Sequence, residues 1–394
     1  MPESALTGVK VLAFEQAAAG PFATHLLADM GADVIKIERP GTGDVVRGWD
    51  RAVHGLSSGY VWLNRRKRSV TVDVKIESGC RLLQRLAEQS DVFVTNFTPG
   101  AAEKLGLGYD DLELRNPALI YCAVSGYGLD GPYRDVKAYD LLIQGEAGVL
   151  ATTGYPGMPA KVGIPISDIS AGMYAALAVV MALYQRERTG RGQMIDVSMF
   201  ESTLSWLGYF PHHYWHQGVE PELVGMRHHF NVPYGPYLAH DEKYVNLSVA
   251  SASDWDRFCR LVIERPALLN DERFSDGPGR CEHRGILEPL VEQVIMERDS
   301  DEWIERLKAA DLPWGRVRGI AEVLAHPQVA ARRLIREIDS PVGRIPTIES
   351  ALRMSESPVV EGPLPSLGGD TDAVLREAGY SDDEIAALHA EGAI

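Results

Sequence analysis

Residues 9–38 read VKVLAFEQAAAGPFATHLLADMGADVIKIE. Two short apolar, β-branched runs, Val9–Phe14 and Val34–Glu38, bracket a helical pattern over Pro21–Met30. Proline stands near the first turn of that pattern and Gly31 just past its end. Strand, helix and strand follow one another within 30 residues. The alternation continues: Ser69–Val74, Val92–Phe97 and Leu119–Val124 read as strands, with Gly79–Gln89 helical between two of them. Such alternation predicts an α/β fold, a parallel sheet covered by helices on both faces.

Further along, Gly172–Arg186 is helical, Thr189–Gln193 is a turn and Met194–Met199 a strand. Residues 201–225 are aromatic-rich and read as an irregular crossover. Tyr244–Val249, Ser253–Val262 and Asp301–Ala310 suggest a smaller α/β unit. Helices start at Thr371 and Ser381, the second with the capping-box pattern Ser381-Asp-Asp-Glu384.

A chain of 394 residues suits one large domain and a smaller one. Its net charge of −16 argues against nucleic acid or an anionic membrane as a partner. An anionic ligand must then be held by local positive charge or backbone N–H groups. Cys80, Cys122, Cys259 and Cys281 have no C-x-x-C spacing and read as buried thiols of a reducing cytoplasm. The start MPESALTGVKVLAFE carries no secretory pattern, which fits a cytoplasmic location. The longest largely apolar run, Ala171–Tyr184, falls short of the roughly 20 residues of a membrane span and reads as a buried helix.

Several residues invite chemistry. After the first strand stands Ala17-Ala18-Ala19-Gly20-Pro21, either a tight turn or a place where an anion approaches a helix N-terminus. G-x-G-x-x-G is absent there. Arg39 follows the second strand, where parallel sheets bind ligands; otherwise it is a solvated loop arginine. Arg65-Arg66-Lys67-Arg68 reads as a solvated strand start or as help for a polyanionic cofactor, with Lys75 one strand along. Asp168, in Pro165-Ile-Ser-Asp-Ile-Ser170, reads as an N-cap before the apolar helix. His212, His213 and His216, with His228 and His229, lack H-E-x-x-H; aromatic packing is expected of them and no metal.

Many short motifs in one order carry a resemblance over essentially the whole chain. They are Gly31–Pro40 with Gly43-Asp44; Asn64, Lys67-Arg68-Ser69 and Asp73; and Asn96-Phe97 with Pro99-Gly100. Leu105-Gly106, Ser125–Gly128, Tyr139-Asp140, Gln144, Gly148 and Thr153-Gly154 continue the series. Asp168, Gly172, Thr189–Gln193, Asp196, Pro365, Leu367-Gly368 and Asp370-Thr371 complete it. Together they resemble the family III, or CaiB/BaiF, CoA-transferases.

The resemblance implies a Rossmann-like large domain built from both chain ends and an interlocked-ring homodimer. Residues 1–200 and 325–394 would form the large domain, 201–225 the linker and 226–324 the small domain. It also implies that Asp168 is a covalent nucleophile, which a helix N-terminus would keep ionised. Asp168 would attack an acyl-CoA thioester, pass through an anhydride and an aspartyl-CoA thioester, and hand CoA to a second acid. Tyr139 stands where the related racemases carry a histidine base; a phenol of pKa about 10 is a poor base and points instead to hydrogen bonding. Asp140 would buttress the site. By resemblance to the formyl-CoA:oxalate type, Ala17, Ala18, Arg39, Val72, Lys75, Asn96, Phe97, Lys104, Lys137 and Tyr139 would line the CoA site. That type has glutamine where this chain has Ala18, and a run of glycines that residues 226–245 lack. Oxalate and formate are therefore disfavoured, and Ala18 would leave room for a larger acyl group. Coenzyme A enters as acyl-CoA substrate, the acceptor is a carboxylic acid such as a dicarboxylate, and no metal is implied. The rival functions are an α-methylacyl-CoA racemase type of isomerase and a non-catalytic acyl-CoA-binding protein.

Overall fold

The computed structural model describes residues 3–394. Its centre is a sheet of six strands: β1 (Lys10–Phe14), β2 (Asp33–Glu38), β3 (Arg68–Thr71), β4 (Val92–Thr95), β5 (Ile120–Ser125) and β6 (Met194–Ser198). They lie side by side in the order β3-β2-β1-β4-β5-β6, every neighbouring pair parallel. Val11 sits opposite Val34 on one side and Val92 on the other.

The near-continuous apolar runs follow from burial on both faces. Side chains alternate across a strand. Val11 and Ala13 join a core with α1 (Ala19–Asp29) and, further along, α5 (Ile166–Thr189). Leu12 and Phe14 join the opposite core, with α3 (Glu77–Glu88) and the C-terminal helices Thr371–Glu377 and Asp382–Glu391. Two shorter helices matter below, α2 (Ser58–Asn64) and α4 (Asp140–Glu146).

The chain builds β1, β2 and β3 outward, then returns to the other side of β1 with β4. That reversal opens a crevice between the loops after β1 and β4, the usual ligand position in an open parallel sheet. Strands β3 and β4 end earlier than their β-branched runs suggest. Val72 N–H still bonds to Glu38 O, but the Asp73 N–H turns to Ala393 O, and Asn96 folds back to the loop after β1.

α5 is longer than the apolar run inside it and is the one helix, among the described residues, long and apolar enough to cross a membrane by length and composition. Half of its most apolar window is buried, and it packs on α1. The capping box at Ser381 is present as expected. The stretch 201–225 is not irregular throughout. It holds the helices Met199–Ser205, capped by Ser198, and Phe210–Gln217, stopped by Gly218 in the left-handed region.

The chain divides into two compact units. The first contains residues 3–149, Val162–Gly208 and Ala330–Ile394, and the second Leu150–Lys161 and Tyr209–Val329. The second unit has a three-stranded antiparallel sheet, with Tyr244–Ser248 between Tyr234–Leu238 and Trp314–Arg316. Trp303, Phe258 and Tyr237 are fully buried in its own core.

Candidate active site

The chain leaves β1 as Glu15-Gln16-Ala17-Ala18 and enters α1. Ala17 adopts the left-handed region, φ 61°, at a cost of about 1–2 kcal/mol for a residue with a Cβ. Three contacts offset that cost. Asn96 clasps the Gln16 peptide, its Oδ1 accepting from Gln16 N–H at 2.8 Å and its Nδ2 donating to Gln16 O at 2.7 Å. Ala17 N–H donates to Asp44 Oδ1 at 3.0 Å. Gly20 leaves room for the Asn96 clasp: a Cβ there would lie 3.2 Å from both Asn96 and Glu15. The first N–H groups of α1 are thus pinned at the crevice with no partner inside the helix.

Beneath this loop lies a dry ionic network. Lys36, in the middle of β2, is 0% exposed and reaches Asp44 Oδ2 at 2.8 Å and Glu15 Oε1 at 3.7 Å. Lys67 Nζ donates to Glu15 Oε1 (3.0 Å), Pro21 O (2.9 Å) and Asn64 Oδ1 (3.1 Å). Burial lowers the Lys67 ammonium to a pKa of about 8, against the pull of Glu15. Glu38 accepts two hydrogen bonds from Arg47 at 2.7 Å and one from Ser69 at 2.6 Å. Burial alone would raise the Glu38 carboxyl; Arg47 and Lys36 outweigh it and bring the pKa down to about 2.

The basic run 65–68 belongs to such pairs, not to solvent and not to a ligand. Arg65 and Arg66 bond to Asp29, Arg66 also to Glu349, and Arg68 to Asp33 and Glu377. A strand packed against helices and the C-terminal segment buries its start, so these charges need carboxylate partners.

Asp168 sits in the first turn of α5, whose N-cap is Pro165. It is therefore inside the helix and not its cap. The capping role falls to Asp140, the first residue of α4, whose Oδ1 accepts from Ser167 N–H at 2.8 Å. Asp168 accepts instead from the Ala19 N–H at the start of α1. The approach of the two helices depends on Gly172, one turn on. A Cβ there would meet Ala19 O at 2.7 Å and Phe22 Cδ1 at 2.9 Å. The half-buried Asp168 carboxyl is not kept strongly ionised, as a bare helix N-terminus would keep it. Burial first, and the Asp140 charge second, push it up to about 7, with the Ala19 N–H only partly opposing them. A carboxyl with a pKa near neutrality in a crevice marks a reactive group.

The other expected residues lie in the segments that follow the strands of the sheet. Ala17 and Ala18 follow β1, Arg39 follows β2, Val72 and Lys75 follow β3, and Asn96 and Phe97 follow β4. Lys104 lies in the turn Glu103–Leu105, and Lys137 and Tyr139 lie between β5 and α4. Arg39, Lys75, Lys104 and Lys137 are exposed, and no carboxylate pairs with them among the described residues. Tyr139 is 72% exposed, its ring open to solvent. Phe97 packs at a tilt on Phe14, with ring centroids 4.4 Å apart.

Two expectations change. The Ala18 methyl group is 2% exposed and belongs to the core with Val46, Tyr60 and Val61, so it leaves no room for an acyl group. Asp140 spends both carboxylate oxygens on N–H donors, Ser167 and Gln144, which suits a buttress and not a base. A cavity of about 320 Å³ next to Phe97 is edged by Glu103, Asp110 and Asp111 and does not reach Asp168. His212, His213, His228 and His229 pack on aromatic rings, for example His228 on Tyr234 at 4.9 Å and His213 on Phe230 at 5.0 Å. Among the described residues no three His, Cys, Asp or Glu side chains form a group able to hold a metal.

Comparison with known proteins places the chain in a family. The model of CoA-transferase family III matches residues 6–371. The chain belongs to CoA-transferase family III. An acyl-CoA transferase of Fusarium pseudograminearum is 37% identical over 100% of this chain and 89% of its own length. The human succinyl-CoA:glutarate CoA-transferase is 32% identical over 99% and 90%. The crystal structure of a CaiB/BaiF family protein from Brucella suis is 33% identical, with a TM-score of 0.83 over 95% of this chain and 100% of that one. This family III member is accordingly an enzyme that transfers CoA, with acyl-CoA as a substrate.

The motifs that resemble the family contain Asp44 and Gln144 without indicating what they do, and they offered Asn96 as a CoA contact and not as the clasp on the Gln16 peptide. Glu15, Gln16 and Lys36 went unread. The signal for Lys36 was present: a cation inside the strand VIKIE, which is otherwise apolar up to its last residue, must find a buried anion.

Proposed function

We infer that this chain moves CoA from an acyl-CoA to a free carboxylic acid with Asp168 as covalent nucleophile. The supporting observation is the Asp168 carboxyl itself, held by the Ala19 N–H at the sheet's switch point and poised near neutral pKa. An Asp168 oxygen attacks the thioester carbon, the C–S bond breaks and CoA thiolate leaves an aspartyl–acyl anhydride. The thiolate then attacks the aspartyl carbonyl, the anhydride C–O bond breaks and the first acid departs. The acceptor carboxylate attacks the aspartyl-CoA thioester, thiolate leaves and returns to the acceptor's acyl carbon, and Asp168 is released as a carboxylate. Splitting one exchange into four acyl transfers is what a covalent carrier provides.

Each transfer develops an oxyanion, and a single backbone donor is worth about 3 kcal/mol in such a step. The Ala19 N–H, which already bonds to Asp168, and the Gly20 N–H that follows it would be such donors. Arg39, Lys75, Lys104 and Lys137 would hold the CoA phosphates, with Ala17, Val72, Asn96, Phe97 and Tyr139 along the cofactor. A dicarboxylate acceptor follows the human relative, which is named for succinyl-CoA and glutarate. The homodimer belongs to the same reading. Its support is the outward apolar face of α5, where Met173, Leu177, Met181 and Tyr184 are exposed. A cytoplasmic setting fits four cysteines that are all free.

Incubation with succinyl-CoA followed by borohydride or hydroxylamine should leave a mass shift on the peptide containing Asp168. A shift on another residue, or none while transfer proceeds, would overturn the assignment. Solvent deuterium appearing at the α-carbon of recovered acyl-CoA would point to the isomerase instead.

Attack requires the ionised carboxyl. With Asp168 at about 7, kcat/KM should fall about tenfold per pH unit below neutrality and level off above pH 8. A profile flat down to pH 5 would contradict that ionisation.

A further inference from the structure

Asp44 has no part in the chemistry so far, yet it is buried in the loop after β2 and tied to three segments of the chain. Its main-chain N–H donates to Glu38 Oε2 at 2.9 Å. Its Oδ2 lies 2.8 Å from Lys36 Nζ. Its Oδ1 accepts from two N–H groups, each at 3.0 Å. One is Val46, in the short turn that Asp44 caps. The other is Ala17, 27 residues away on the loop after β1.

The Ala17 contact completes a grip. The peptide unit between Gln16 and Ala17 gives its N–H to Asp44, and its carbonyl oxygen accepts from Asn96 Nδ2 at 2.7 Å. The unit is thus held at both edges. Turned over, it would set its carbonyl oxygen against Asp44 Oδ1, one acceptor facing another. The orientation of this unit sets φ of Ala17, which stands at 61°. Left to itself, an alanine disfavours that region by a factor of about 5–30. Ala17 is also the joint between the gripped unit and the first turn of α1. The Ala18 oxygen accepts from Phe22 N–H at 2.8 Å, and the next residue, Ala19, gives its N–H to Asp168.

We propose that Asp44 is a positioning residue for the transfer reaction: by holding the Ala17 N–H it keeps Ala17 left-handed, and so keeps the Ala19 N–H aimed at Asp168. Lys36 assists by taking Oδ2, which leaves Oδ1 facing the loop. The proposal rests on the reading of Asp168 as the nucleophile. Asp44 acts through the loop and not on the reacting carboxyl.

The test is a double-mutant cycle on the full-length enzyme, with Asp44→Ser, Ala17→Gly and the pair. Serine keeps a hydroxyl that can cap the turn at Val46 but is too short to reach Ala17 as well. The first readout is the single-turnover rate of succinate formation at saturating succinyl-CoA, with no acceptor added. Asp44→Ser should lower it about ten- to thirtyfold in the wild-type background. With glycine at position 17 the same change should lower it no more than about threefold, because glycine stays left-handed unaided. The second readout is amide hydrogen exchange at Ala19, a group that Asp44 does not touch. It should quicken about tenfold in Asp44→Ser and less than about threefold when Ala17→Gly is also present. If Asp44→Ser does not fold, Lys36→Met with Asp44→Ser strands no buried ammonium and takes its place in the cycle.

A merely structural part for Asp44, as cap and as partner of Lys36, predicts equal losses of rate in both backgrounds. That result, or unchanged exchange at Ala19, overturns the proposal. The exchange is read without substrate, so it follows the loop whichever residue carries the acyl group. A failure of Asp168 as nucleophile would show in the trapping experiment and is thereby distinguished from a failure of the grip.

Discussion

Asp168→Asn is expected to abolish CoA transfer while making the fold more stable. The amide cannot form the anhydride, and removal of a covalent nucleophile elsewhere has cost about six orders of magnitude in kcat. A loss of at least about four orders is expected here, read as succinyl-CoA consumed against a dicarboxylate acceptor. Stability should move the other way. In the fold the Asp168 carboxyl has a pKa of about 7, raised from the ordinary 3.8 by burial and by Asp140. Between those values the folded chain holds a proton that the unfolded chain releases. Wild-type stability therefore falls as pH rises through that window, and the contribution is lost above the folded pKa. Asparagine carries no such penalty. Each pKa unit corresponds to about 1.4 kcal/mol. Discounted for the partial exposure of the carboxyl, the variant should gain about 2 kcal/mol at pH 8, and distinctly less at pH 5. Denaturation at the two pH values checks this. An equal gain at both would mean that the charge of Asp168 is not what the fold resists.

The sheet was legible because its signal is periodic. Val9–Phe14 and Val34–Glu38 are apolar runs bracketing a helix, and burial on both faces requires that pattern. Strand ends were less legible. Val92–Phe97 reads as one strand through Phe97, but the ladder stops at Thr95 because Asn96 is taken by the Gln16 peptide 80 residues away. No local pattern announces a partner so distant. The helix Phe210–Gln217 was missed for a different reason. Its Tyr214 and Trp215 are exposed to an unusual degree for aromatic residues, which hides amphipathic periodicity.

At the site, the family motifs pointed to Asp168, and composition could describe it only as a cap. What neither could supply was its electrostatic state. That state depends on Asp140 taking the cap position and on Gly172 letting the Ala19 N–H reach the carboxyl, both matters of tertiary approach. The charged run at 65–68 shows the converse. Four adjacent cations look solvated on paper, and only the carboxylates of Glu15, Asp29, Asp33, Glu349 and Glu377 reveal them as interior and flank residues.

Lys67→Met should be among the most damaging single changes outside the reacting carboxyl. Lys67 donates all three of its ammonium hydrogens, to Glu15, Pro21 O and Asn64, in a place with no solvent access. Methionine fills a similar volume but returns nothing to those acceptors. Glu15 would keep Thr24 at 2.7 Å, with the Lys36 ammonium at 3.7 Å committed to Asp44, while its Oε2 has no hydrogen-bond partner to begin with. Breaking one side of a buried ion pair costs about 3–5 kcal/mol, more than the pair itself contributes, because the remaining charge stays desolvated. Chemical denaturation of the purified protein reads that loss. The double change Glu15→Gln with Lys67→Met removes the stranded charge and should recover more than half of it. The same pair fixes the loop that ends in the strained Ala17 and presents the first N–H groups of α1. The folded fraction of Lys67→Met should therefore also show a raised KM for acyl-CoA at temperatures where it remains native. A stability loss under about 1 kcal/mol, or a double variant no better than the single, would mean that water reaches Glu15 and that the loop after β1 is held by Asn96 and Asp44 alone.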